Sequence, residues 1–146
     1  MKYSLYVGIL FLHSWLRWLV LGCGLATVLL PRAEKRRMFD LGFLYSLDVQ
    51  LVLGAVLYFF LSPYGVSSFR HLDMKDDVQR FWAVEHVTGM VAAALIAHIA
   101  RWSASRMTDE RAADRRRFWA TLVPWFLIVF TIPWPFLKYG RPLFRL

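Results

Sequence analysis

Cysteine, acidic residues and charge in general are scarce in this chain. The one cysteine, Cys23, lies inside an apolar run, so neither an internal disulfide nor a cysteine-based metal site can be built. Charged residues make up only 19% of the 146, and ten Asp and Glu stand against eighteen Lys and Arg, a formal charge of +8. With 58% hydrophobic and 17% aromatic residues, the composition lies outside the range of a soluble domain of this length. The basic residues sit between long apolar runs rather than on a polar surface, which excludes a nucleic-acid-binding module. They read instead as topology signals and as contacts to anionic lipid. No internal repeat or low-complexity segment is visible, and a single four-helix protomer without a repeat offers no alternating-access core for transport.

Four apolar stretches are present, at about Leu5 to Leu30, Leu41 to Ser62, Phe81 to Trp102 and Phe118 to Leu137. A hydrocarbon core of about 30 Å needs about 20 helical residues, and unsatisfied backbone amides in lipid require each span to be a closed helix. Four short-linked spans predict an all-α, up-down-up-down integral membrane bundle forming a single domain over residues 1–146. The first stretch is too long for a secretory signal. Pro31-Arg-Ala-Glu-Lys-Arg-Arg37 follows it where a small-residue cleavage site would lie, so it reads as a retained helix. The loops after spans one and three carry Arg32, Lys35, Arg36, Arg37, Arg101, Arg106, Arg111, Arg115, Arg116 and Arg117. The other side carries Lys2, Arg70, Lys75, Arg80, Lys138, Arg141 and Arg145. The positive-inside rule then puts both termini on the outer, periplasmic face of a bacterial inner membrane. The outer connector, residues 63–80, is expected to be a solvated loop. Trp82, Trp102, Trp119, Trp125 and Trp134 are expected to anchor helix ends at the headgroups.

Six ionisable residues fall within the spans: His13, Arg17, Asp48, Glu85, His86 and His98. Each costs about 2.5–3.5 kcal/mol near the bilayer centre, so such groups are usually kept for function. His13 and Arg17 share a helix face with Tyr6, Leu10, Val20, Gly24 and Thr27, which predicts an inward stripe. On the third span, Gly89, Ala93, Ala97 and Ala100 form a row of small residues after His86, allowing a backbone or a flat ligand to approach closely. Counted from the outer face, His13 lies about 12 Å deep and His86 about 8 Å deep. His98 is twelve residues further on, a rotation of about 120°, and no other helix offers a histidine at its level.

These depths predict one b-type haem held between His13 and His86, with Arg17 and Arg80 available to its propionates and Glu85 to orient an imidazole or carry protons. Bis-histidine ligation leaves no open position on iron and favours electron transfer over oxygen activation. The bland reading of His13 and Glu85 is an interhelical hydrogen bond. Arg17 and Asp48 lie near the midplane and are expected to form a buried ion pair, with a proton or quinone-headgroup site involving Gln50, Tyr45 and Tyr58 as the functional alternative. His71, in the outer connector, reads as exposed.

Leu12-His-Ser-Trp-Leu-Arg-Trp-Leu-Val-Leu21, Ser46-Leu-Asp-Val-Gln50, Phe81-Trp-Ala-Val-Glu-His86 with His98, and Ile132-Pro-Trp-Pro-Phe136 carry a family likeness. Together they resemble small four-helix membrane proteins of Bacteroidetes-type bacteria labelled "cytochrome b", and the resemblance covers all four spans. It implies a haem protein of a respiratory or photosynthetic membrane. Larger four-helix cytochromes b carry paired histidines for two haems, whereas His98 has no inner partner here, which argues against a two-haem electron wire. The expectation is an electron-transfer subunit exchanging electrons with quinone or a larger redox complex. Two alternatives stand beside it: a non-catalytic accessory subunit, and a pigment-binding subunit in which His86 or His98 ligates chlorophyll magnesium. The Ile132-Pro-Trp-Pro-Phe136 segment should close the last helix. Pro124 should kink it and free a carbonyl toward a neighbour.

Overall fold

The computed structural model describes residues 2–30 and 33–144, with 33 and 34 as backbone only. Pro31, Arg32 and Arg145, used in the signal and charge arguments above, lie outside the described residues. The elements are α1 (Lys2–Leu29), α2 (Ala33–Val56), the short α3 (Asp77–Arg80), α4 (His86–Ala104) and α5 (Glu110–Thr131), with no strand among the described residues. A π-turn, Leu57–Leu61, extends α2, and a second, Phe81–Glu85, joins α3 to α4.

Three helical segments are long and apolar enough to cross a membrane: Lys2–Leu29, Lys35–Leu61 and Asp77–Ala104. The chain is therefore a multi-pass membrane protein by length and composition. The last stretch departs from expectation. The first turns of α5 carry Glu110, Arg111, Asp114, Arg115, Arg116 and Arg117, and the helix ends at Thr131 rather than near Leu137. Ile132 is extended (φ −72°, ψ 138°), the conformation that Pro133 imposes on the residue before it. This leaves an apolar helical run only over residues 118–131, shorter than a full span of about 20 residues.

Helix α1 packs along α2 and α4 along α5, while α1–α5 and α2–α4 contacts close the ring. The centre is filled by Val20, Leu21, Phe43, Leu47, Ala93, Ala97, Ile128 and Ile132. The expected stripe on α1 does face inward, with Arg17, Val20, Gly24 and Thr27 buried. The small-residue row on α4 is also buried at Gly89, Ala93 and Ala97. What it admits is α5, because a Cβ on Gly89 would lie 2.4 Å from Thr131 Cγ2. Gly89→Ala is accordingly expected to destabilise the α4–α5 contact by about 1–3 kcal/mol, measurable as a lowered unfolding midpoint in detergent.

The residues of α2, α4 and α5 meet in a buried polar cluster that the sequence did not suggest. Arg101 donates to both carboxylate oxygens of Asp40 and to Thr121 Oγ1 (2.6 Å), and Thr121 in turn donates to Asp40. Arg101 also reaches the carbonyl of Ala120 at 3.0 Å. Ala120 is four residues before Pro124, so its carbonyl is the one a proline at that position leaves without an amide donor. The carbonyl expected to be freed by Pro124 is thus taken by Arg101.

The 63–80 connector is partly helical rather than a plain loop: a 3₁₀ segment, Val66–His71, precedes α3. Asp76 caps α3 by accepting from the Val78 and Gln79 amides, and hydrogen bonds from Gln79 and Val78 hold its carboxyl below the usual range. Among the tryptophans, Trp102 and Trp119 are exposed as anchors would be. Trp125 and Trp134 instead pack against the core, donating to the carbonyls of Leu21 (3.0 Å) and Val129 (2.8 Å).

Candidate functional site

A cavity of about 370 Å³ opens between α1, α2, α4 and the end of α5, within the size range of small-molecule sites. His13 and His86 both line it, from helices that are not neighbours in sequence. Arg17 lines the same cavity, one turn along α1 from His13. The rest of the lining is mainly apolar, from Val20, Leu47, Leu51, Met90, Ile128 and Ile132, with Arg17 and Arg141 as its cations.

The histidines are held by different means. His86 Nδ1 lies 2.9 Å from the Thr131 carbonyl, and a carbonyl can only accept, so Nδ1 carries the hydrogen and the neutral ring keeps its lone pair on Nε2. The glycine at position 89 lets α5 approach closely enough for that bond. His13 is placed by Gly54, where a Cβ would come 3.2 Å from its Cε1, and its main-chain carbonyl accepts from Gln50 Nε2 at 2.9 Å. Three buried polar atoms of the lining have no hydrogen-bond partner among the described residues: His13 Nδ1, Gln50 Oε1 and Trp82 Nε1. Orphaned polar groups at one apolar cavity are what a bound group would satisfy.

Both π-turns flank this cavity, and Tyr58 Oη in the first donates to the Ala83 carbonyl in the second at 2.8 Å. Such turns are common at functional sites. The segment after α5 folds back onto α1. Leu143 O accepts from Arg17 Nη2 at 2.6 Å and from Trp18 Nε1 at 3.3 Å, and Phe144 stacks on Trp18. Arg141 lies over the Trp82 ring, 5.1 Å from its centroid, at the cavity lining.

Several expected placements are corrected. Asp48 does not pair with Arg17. It accepts from, or binds as carboxylate to, His98 Nε2 at 2.7 Å, with side chains 40% and 48% exposed. The reason is helical phase: Gln50 faces the cavity, and Asp48, two residues earlier, is rotated by about 200° to the outer side of α2. Tyr45 shares that outer side and is exposed, so Arg17, Asp48, Tyr45 and Tyr58 do not assemble into one proton or quinone site. His98 does not line the cavity. Glu85 orients no imidazole, since Arg80 Nε holds it at 2.7 Å and Thr131 serves His86. Arg80 itself is engaged by Glu85, Asp77 and the Met74 carbonyl, away from the cavity. Arg141 is the cation found there instead. Sequence reasoning passed over Arg141 because it lies beyond the last helix, and no periodicity links that segment to α1. His71 is exposed, as expected.

Comparison with family models, curated proteins and solved structures finds no match for this chain.

Proposed function

We propose that the cavity binds one b-type haem between His13 and His86, and that the chain is an electron-transfer subunit exchanging electrons with quinone or a larger redox complex. The observation that carries this reading is the convergence of two histidines from α1 and α4 on one apolar cavity, with the His86 tautomer fixed by the Thr131 carbonyl. His13 and His86 would hold the group, and when bound it would supply one-electron transfer.

The chain's own residues have separate tasks. Thr131 orients His86, Gly54 makes room for His13, and the aliphatic lining excludes water and keeps the local dielectric low. Arg17 and Arg141 present guanidinium groups suited to propionate carboxylates. In this reading α5 forms the fourth span, both termini face the periplasm, and the protein resides in a bacterial inner membrane.

A second reading, an accessory subunit of a respiratory or photosynthetic complex, is favoured by the half-exposed Asp48–His98 pair, whose desolvation in lipid a neighbouring subunit would relieve. His98 tests whether the haem reading needs a second ligand pair. His98→Ala is expected to leave haem per chain unchanged, as read by pyridine haemochrome on the purified protein. Loss of half or more of the haem would give His98 a ligand role that the single-cavity reading does not contain. An extractable chlorin would instead support a pigment subunit.

A further inference from the structure

At the opposite end of the molecule from the cavity lined by His13 and His86, a second groove runs between α4 and α5, floored by Ile96, Ala100, Trp119 and Val123 and edged by Arg115 and Arg116. Among the described residues, the carboxylates near this end are already engaged: Asp40 with Arg101, Asp114 with Arg36, Glu110 with Arg117, and Asp109 as the α5 cap accepting from the Arg111 and Ala112 amides. Among the described residues, Arg115 and Arg116 form no ion pair, and both are exposed. Arg116 Nη1 donates to Ser103 Oγ at 2.6 Å, which holds its guanidinium across the groove toward α4. Trp119 and Trp102 are exposed on the same end, and Arg106 lies over the Trp102 ring at 4.0 Å.

We infer that this groove is a binding site for an anionic phospholipid, with the phosphodiester on Arg115 and Arg116 and an acyl chain along Ile96, Ala100 and Val123. Three features select that occupant. The groove lies on helices of a membrane protein, where lipid is the surrounding medium. Its floor is apolar, and its edge carries two exposed cations that form no ion pair among the described residues, at a level marked by exposed tryptophans. A soluble anion would use the arginines and leave the floor bare, whereas a phospholipid uses both. A basic pocket between membrane helices, rather than a diffuse basic loop, is also the arrangement that distinguishes a headgroup site from general surface attraction. Each arginine near the membrane surface can strengthen anionic-lipid association by up to about fivefold.

The full chain, reconstituted in phosphatidylcholine vesicles, tests this with spin-labelled phosphatidylglycerol and spin-labelled phosphatidylcholine as alternative probes. The wild type is expected to hold the anionic probe in its motionally restricted fraction several-fold more strongly than the neutral one. Arg115→Gln/Arg116→Gln should remove most of that preference, and Lys35→Gln/Arg37→Gln, which deletes equal charge from the start of α2, should retain it. Equal loss in both double variants would overturn the groove in favour of diffuse surface charge, and absence of any preference in the wild type would overturn it outright. Displacement of the anionic probe by about 10 mM inorganic phosphate, beyond the loss that sodium chloride of equal ionic strength causes by screening, would assign the arginines to a free anion instead. If the double variant does not fold, Arg115→Gln alone, an exposed change, is expected to give a partial loss of preference, and an unchanged preference would count against the site.

Discussion

Replacing His86 with glutamine is expected to yield a folded protein that lacks the Soret band predicted for the wild type. Glutamine retains a donor for the Thr131 carbonyl, so the α4–α5 contact survives while the imidazole Nε2 is lost. His13→Ala is expected to have the same spectral result, because the cavity offers no second histidine on α1. His98 stands about 18 Å along the helix from His86 and His71 lies outside the cavity, so neither can substitute. Loss of an outer hydrogen bond to a metal-binding imidazole typically costs about 10–100-fold in affinity, and loss of the imidazole itself should exceed that. Haem per chain, measured with far-UV circular dichroism on the same samples, checks the prediction. Full haem retention in either folded variant would remove the histidine pair from the site.

Asp40→Ala has the largest expected effect on stability. It would strand the Arg101 guanidinium among α2, α4 and α5, where the paired side chains are now only 12% and 10% exposed. Removing one partner of such a buried pair costs about 3–5 kcal/mol, because the remaining charge has lost its compensation. For a chain of this size that corresponds to a fall of about 10 °C in the unfolding midpoint. Replacing both partners, as Asp40→Leu with Arg101→Met, should recover much of the loss, since well-packed apolar residues often do as well as a buried ion pair. Thermal unfolding of the single and double variants in one detergent measures this. A single variant as stable as wild type would show that the cluster contributes nothing net. The Arg101 contact to the Ala120 carbonyl makes the double replacement less than fully neutral, because that carbonyl would again lack its donor.

The first three apolar spans, the inward face of α1 and the meeting of His13 with His86 at one cavity were legible because each depends on helical period or on depth along a helix. His13, Arg17 and Val20 recur on one face, and the cavity lies on it. What depended on the angular setting between helices was not legible. Arg17 and Asp48 lie at similar depth, yet the phase of α2 turns Gln50 toward the cavity and Asp48 toward His98. The Asp40–Arg101–Thr121 cluster joins residues up to 81 positions apart, at a level where the sequence shows only loop-flanking charges. Arg141 reaches the cavity because the Pro133 carbonyl accepts its amide at 3.0 Å and the segment folds back, a path that no periodic pattern encodes. The π-turns are similarly silent in sequence, although Phe81–Glu85 sets the entry to His86.

The most direct test of the proposed haem site is a dithionite-reduced minus oxidised spectrum of the detergent-purified protein, with haem quantified per chain by pyridine haemochrome. One haem b per chain is the predicted result. No haem in protein expressed with ample haem supply would contradict the account and leave the accessory-subunit reading, and two per chain would contradict the single His13–His86 site.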